Sequence, residues 1–106
     1  KAMEFVKDIY KLTRRFPEDE KFGIISPIRR AAVSIPSNIA EGKERKTDKE
    51  FSQFLFIAKG SLGEVETQLM ISKEIEYLSG ENLNQFLEKS AEIGKMLNGL
   101  IKATSK

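Results

Sequence analysis

A proline stands inside an apolar row spaced for a helix, in the stretch Arg29-Arg30-Ala31-Ala32-Val33-Ser34-Ile35-Pro36-Ser37-Asn38-Ile39-Ala40-Glu41-Gly42. An interior proline deletes one backbone hydrogen bond and presses its ring on the carbonyl four residues back, here that of Ala32, at a cost of about 3 kcal/mol. The row Ile24, Ile28, Ala31, Ala32, Ile35 and Ile39 nevertheless keeps its phase across Pro36. One continuous kinked helix is therefore expected, following a polar, acidic turn through Lys21 and closing at Gly42 in the left-handed position past the helix end, the alternative being two short helices broken at Ser34-Ile35-Pro36. Burial against neighbours must offset the proline, so this segment belongs in a core.

Three further rows share the three-and-four spacing. Ala2, Phe5, Val6, Ile9, Leu12 and Phe16 mark a first helix that Phe16-Pro17 ends. Thr47-Asp48-Lys49-Glu50 is a capping-box start for a third. Its row runs Phe51, Phe54, Leu55, Ala58, Leu62, Val65 and Leu69, then on to Ile75 and Leu78, a helix approaching about 45 Å at 1.5 Å per residue. Ser79 caps a fourth, striped by Leu83, Phe86, Leu87, Ile93, Leu97, Leu100 and Ile101. No segment alternates with period two. The expected fold is all-α: one domain over 1–106, an antiparallel four-helix bundle running up-down-up-down. Gly60, Ser61 and Gly63 interrupt the third helix where glycine costs about 1 kcal/mol against alanine, which points to close approach by a neighbouring helix or another subunit; tolerance on an exposed face is the alternative.

Composition narrows function. Among 106 residues there is no cysteine and no histidine, which removes the usual nucleophile-base pairs, cysteine-zinc sites and the side chain suited to proton transfer near neutral pH. Glu64 and Glu66, like Glu74 and Glu76, are two apart and point to different helical faces. Gly94-Lys95-Met96-Leu97-Asn98-Gly99 has the glycine spacing of a phosphate loop but lacks the Lys-Ser or Lys-Thr that must follow. No enzyme, metal or cofactor is expected. The longest stretch without charge, Ala31 to Ala40, is far below the roughly 20 apolar residues that cross a bilayer. No signal peptide opens the chain, so a cytoplasmic protein without a membrane partner is expected. The net charge of +2 argues nothing about nucleic acid by itself.

Arg29 to Gly42, Asp48-Lys49-Glu50-Phe51 and Gly60-Ser61-Leu62-Gly63-Glu64-Val65-Glu66-Thr67-Gln68-Leu69 together resemble one bacterial family: the four-helix-bundle proteins encoded within intervening sequences of 23S ribosomal RNA genes. Tyr10-Lys11-Leu12-Thr13, Phe16-Pro17 and Met96-Leu97-Asn98-Gly99-Leu100-Ile101 extend the likeness over nearly the whole chain. The aromatic-containing lead-in to the first helix is missing, and Gly63 stands where a polar or small helix former is commoner. The resemblance implies a bundle assembled as a ring of five identical subunits. Related accessory proteins of diversity-generating retroelements look like the same bundle and use a basic surface to engage nucleic acid and a reverse transcriptase.

Two groups of residues are candidates for a site. Lys43, Arg45, Lys46 and Lys49, with Glu44 and Asp48 between them, leave a local charge of +2, four cations less two carboxylates. In one subunit that is a solvated loop; repeated around a ring it becomes a belt of cations able to hold RNA or DNA phosphates. Lys7, Lys11, Arg14 and Arg15 add to it from the first helix. In the second group, Arg30, Asn38, Glu41 and Glu64 form a partly buried polar network or a subunit contact, with Ser34 or Ser37 bonding the carbonyl that Pro36 frees. Alternatively Arg29, Arg30 and Asn38 present donors to a ligand such as phosphate. Phe56, Ile57 and Met70 fall off the main stripe and make the third helix apolar on more than one side, the sequence argument for self-association. Two functions remain: a homo-oligomer that binds nucleic acid, or a scaffold for a protein partner docking on exposed apolar residues of helices one or four.

Overall fold

The computed structural model describes residues 1–105. Among them are four long helices and no strand: α1 (Ala2–Thr13), α2 (Ser26–Lys43), α3 (Asp48–Glu74) and α4 (Gly80–Thr104). Both α1 and α3 pack on α2 and on α4, so the four helices enclose one core. Pairs of contacts running in opposite numerical order show the antiparallel sense: Ser34 meets Ser61 and Gly42 meets Phe51, Leu62 nears Gly94 and Glu66 meets Ser90, and Lys1 meets Glu92 and Asp8 meets Lys89. The result is an elongated antiparallel four-helix bundle measuring 44 × 24 × 18 Å.

The apolar rows supply that core as their spacing requires. Phe5, Ile9 and Leu12 enter from α1, and Ile28, Ala32 and Ile35 from α2. Leu55, Ala58, Leu62, Val65 and Leu69 enter from α3, and Ile93 and Leu97 from α4. α2 runs unbroken through Pro36, so burial of Ala32 and Ile35 on either side offsets the lost hydrogen bond.

Helix ends differ from the sequence expectation in four places. α1 stops at Thr13 rather than Phe16: the next residues form tight turns, Arg15 N–H to Leu12 O at 3.2 Å and Phe16 N–H to Thr13 O at 3.1 Å. These turn Phe16 inward onto the Tyr77 ring, 5.2 Å between centroids. The acidic turn before α2 is itself helical, a 3-10 turn at Glu18–Glu20 and a π turn at Lys21–Ile25; the wider turn lets both Ile24 and Ile25 reach the core.

Gly42 is no left-handed cap, since α2 continues to Lys43 and no glycine has positive φ. It is buried instead because a Cβ there would lie 2.7 Å from Phe51 Cδ1 and 2.9 Å from Phe54 Cβ. Lastly, α3 ends at Glu74, about 40 Å after its start, not at Leu78. Glu76 takes the left-handed conformation at φ 68, with Glu76 N–H bonded to Lys73 O at 3.0 Å and Tyr77 N–H to Ser72 O at 2.8 Å. That is a Schellman closure with glutamate where glycine is usual.

The expected caps are present. Thr47 Oγ1 accepts from Glu50 N–H at 3.1 Å, although Glu50 carboxylate accepts from the Thr47 hydroxyl instead of reaching back to its amide. Ser79 Oγ accepts from Asn82 N–H at 3.0 Å.

Candidate nucleic-acid interface

The basic residues fall into two groups at opposite ends of the bundle. Arg14 and Arg15 lie just past the end of α1, beside the start of α2, whereas Lys43, Arg45, Lys46 and Lys49 surround the α2–α3 connection. From Arg29, which touches Thr13, to Lys43 the rise along α2 is about 21 Å. The two tracts therefore do not merge into one belt within a single chain.

Within the α2–α3 tract the cations are unequal. Arg45 is engaged, paired with Glu41 at 3.3 Å and lying over the Phe54 ring at 4.8 Å. Lys43, Lys46 and Lys49 are exposed and make no ion pair among the described residues. Arg14 and Arg15 are likewise exposed.

Arg29 is the correction among the nucleic-acid candidates. It is half-buried, with Nε donating to Thr13 Oγ1 at 2.7 Å, Nη2 donating to Tyr10 O at 3.3 Å and the guanidinium over the Tyr10 ring at 4.5 Å. Thr13 in turn donates to Ile9 O at 2.8 Å. A cation thus satisfies a carbonyl of the last turn of α1, where the helix dipole favours positive charge. Its donors point inward, to a strut between α1 and α2, rather than to a ligand.

Arg30, Asn38, Glu41 and Glu64 do not form one network within the chain. Arg30 and Glu64 are exposed, and Glu41 pairs with Arg45. Asn38 Nδ2 donates to Ser34 O and Ser34 Oγ, both at 2.8 Å. Ser34 Oγ faces Ser61 Oγ at 2.8 Å across the α2–α3 contact. Neither Ser34 nor Ser37 bonds the Ala32 carbonyl among the described residues; the Ser34 hydroxyl serves the helix contact instead. Ser61 is therefore the small residue that joins two helices.

Other polar links were not legible from spacing. Ser90 donates to the Glu66 carboxylate between α3 and α4, and Tyr77 hydroxyl donates to Glu20 Oε2 at 2.6 Å. That hydrogen bond, aided by burial and by the charges of Glu20 and Asp19, pushes the Tyr77 phenol up to about 12. Thr13 alone carried a signal, four residues after Ile9 on the core side of α1.

α3 has a second apolar face. Phe56 is 55% exposed, and Ile57, Met70, Ile71 and Ile75 are exposed with it. At 100° per residue these side chains lie roughly opposite Leu55, Ala58, Leu62, Val65 and Leu69. Gly60 and Gly63 share this outer face, and nothing lies within 4 Å of where their Cβ atoms would sit. No helix of the same chain approaches them. Among the described residues no group of three acidic, cysteine or histidine side chains converges to hold a metal, and no helix is long and apolar enough to cross a membrane.

The model of the family described as 23S rRNA-intervening sequence protein matches residues 1–99. The chain belongs to this family. A solved structure from Bacteroides thetaiotaomicron VPI-5482, a protein with unknown function from the S23 ribosomal protein family, shares 30% identity. The alignment covers 95% of this chain and 94% of that one with a TM-score of 0.84. No curated protein matches the chain. The intervening-sequence family is thus shown both by sequence and by the bundle, and the outer face of α3 and the two basic tracts are features of a family member.

Proposed function

We propose that the chain is a non-enzymatic, self-associating helical bundle, a cytoplasmic homopentamer, that binds RNA or DNA through surface cations multiplied by assembly. The observation that carries this reading is the outer side of α3, where Phe56 and Ile57 before Gly60 and Gly63, and Met70, Ile71 and Ile75 after them, are exposed, with open space above both glycines. So many large apolar side chains left to solvent along one helix mark an interaction surface. Bare backbone at Gly60 and Gly63 permits the close helix contact that a second copy would make. The number five rests on the family resemblance; a ring requires two different surfaces of each subunit to meet. Phe22, in the π turn before α2, and Val33, in the middle of α2, are exposed along one cleft with Tyr10 and supply a second apolar surface.

Self-association matters for binding because few cations are available per chain. Each phosphate contact releases counterions, so affinity climbs steeply with the number of contacts made together. Light scattering on protein purified with and without nuclease, read together with the absorbance ratio, tests both parts. A mass of several chains with co-purifying nucleic acid supports the reading. A folded particle of one chain, or an oligomer free of nucleic acid and indifferent to added RNA and DNA, overturns it; the latter leaves the scaffold for a protein partner.

A further inference from the structure

A cleft of about 350 Å³ lies between α1 and the first half of α4, lined by Lys11, Arg15, Asn82, Gln85 and Lys89 around Leu12 and Phe86. We infer that this cleft seats phosphate groups of a nucleic-acid backbone, with Lys11 and Arg15 as the charged contacts and Asn82 and Gln85 as neutral donors. The inference rests on the nucleic-acid reading above and assigns it a place.

Four observations carry it. First, Lys7 and Lys11 stand one turn apart on α1, like charges that weaken the helix slightly, and Arg15, in the tight turn that follows, lines the same cleft as Lys11. Second, no carboxylate among the described residues pairs with these cations. Asp8, the carboxylate lining the cleft, is held by Lys89 Nζ at 2.7 Å, and Lys11 and Arg15 make no ion pair among the described residues. Third, the cleft is built by rigid elements. Phe86 packs edge-on against Phe5 with 6.3 Å between centroids, and Leu12 is buried in the core, so the cations stand over a fixed apolar floor. Fourth, the rival α2–α3 tract has its one arginine engaged by Glu41 and Phe54.

Amide side chains beside the cations add hydrogen bonds to a phosphate contact that an open loop of lysines does not supply. Lys11 near the end of α1 and Arg15 in the turn after it present two positive groups to one cleft, as successive phosphates on one strand require.

The test is anisotropy of a labelled single-stranded RNA and of a labelled DNA duplex, titrated with the full chain between about 50 and 200 mM salt. Lys11→Gln with Arg15→Gln is expected to weaken binding about tenfold or more and to flatten the logarithmic salt slope by about 0.7 per lost contact on the single strand and about 0.9 on the duplex. The charge-preserving pair Lys11→Arg with Arg15→Lys is expected to retain both. Inorganic phosphate should compete only at concentrations that match its ionic strength. Undiminished binding by the glutamine pair, with loss instead in Lys43→Gln with Lys46→Gln, overturns the cleft while leaving the nucleic-acid reading intact. Saturable displacement by dilute inorganic phosphate would assign the cleft to a small anion and overturn it too. No binding of either nucleic acid by the parent chain overturns both.

Discussion

α1 and α3 are both amphipathic helices of one bundle, yet they meet solvent in opposite ways. α1 turns Phe5, Ile9 and Leu12 to the core and Lys7 and Lys11 to water. α3 turns Leu55, Leu62 and Leu69 to the core but Phe56, Met70 and Ile71 to water. One helix presents mainly charge to solvent; the other keeps a row of large apolar side chains there. The difference shows that apolar residues outside the main stripe carry information that the stripe itself does not.

The sharpest way to break this comparison is to truncate each face of α3 in turn. Leu69→Ala, at a fully buried site, is expected to cost about 2–5 kcal/mol in chemical denaturation. Ile71→Ser, two residues on, should change the stability of the isolated chain by less than about 0.5 kcal/mol while lowering the mass seen by light scattering. If Ile71→Ser leaves an oligomer intact, the outer face is not an interface. Next in size, Gly42→Ala should cost about 1–3 kcal/mol, since the added methyl meets the base of Phe54 rather than a flexible tip; an unchanged melting midpoint would remove the close-contact account of that glycine.

Arg29→Ala sharpens the contrast from the side of α1. It removes the donor to Thr13 Oγ1 and one of the donors to the Tyr10 carbonyl, which keeps its bond from Arg14 N–H, and should cost about 1 kcal/mol, measured by urea titration. RNA affinity lost at full stability would restore the ligand role that the geometry denies. Gly60→Ala should do two opposite things: raise the stability of the separate chain by about 1 kcal/mol through helix propensity and weaken its assembly. Agreement of the two signs would count against close packing at that point.

The smallest effect is in pH. Tyr77 holds its proton up to about 12 in the fold against about 10 in an unfolded chain. The unfolded state therefore binds fewer protons between those values, so stability from this link is complete below pH 10 and falls as pH rises through 10 to 12. Tyr77→Phe should flatten that part of a thermal-stability profile; a profile unchanged by the substitution would mean the phenol contributes nothing through Glu20.

Fold was legible because four apolar rows kept the helical period, and Thr47 and Ser79 marked two starts with side chains whose bonds are local. Where prediction failed, a distant residue decided. Gly42 looked like a helix end but answers to Phe51 and Phe54 on the next helix. Arg29 looked like an outward donor but answers to Thr13 and Tyr10. Glu66 and Ser90 meet across α3 and α4 with no sequence spacing to announce it. Basic residues were legible as a list and not as a surface, because Arg15 and Lys46 are brought to opposite ends by the antiparallel turn. Lys89, Asn82 and Gln85 join Lys11 only once α4 folds back along α1.

Gly42 has one more consequence. With Phe51 and Phe54 pressed onto the final turn of α2, Thr47 locking the first turn of α3 and Arg45 fastened to Glu41, the hinge between these helices is riveted at both margins. A molecule arriving at Lys43, Lys46 and Lys49 would meet anchor points already standing in place, and only the lysine tips would have to be stilled.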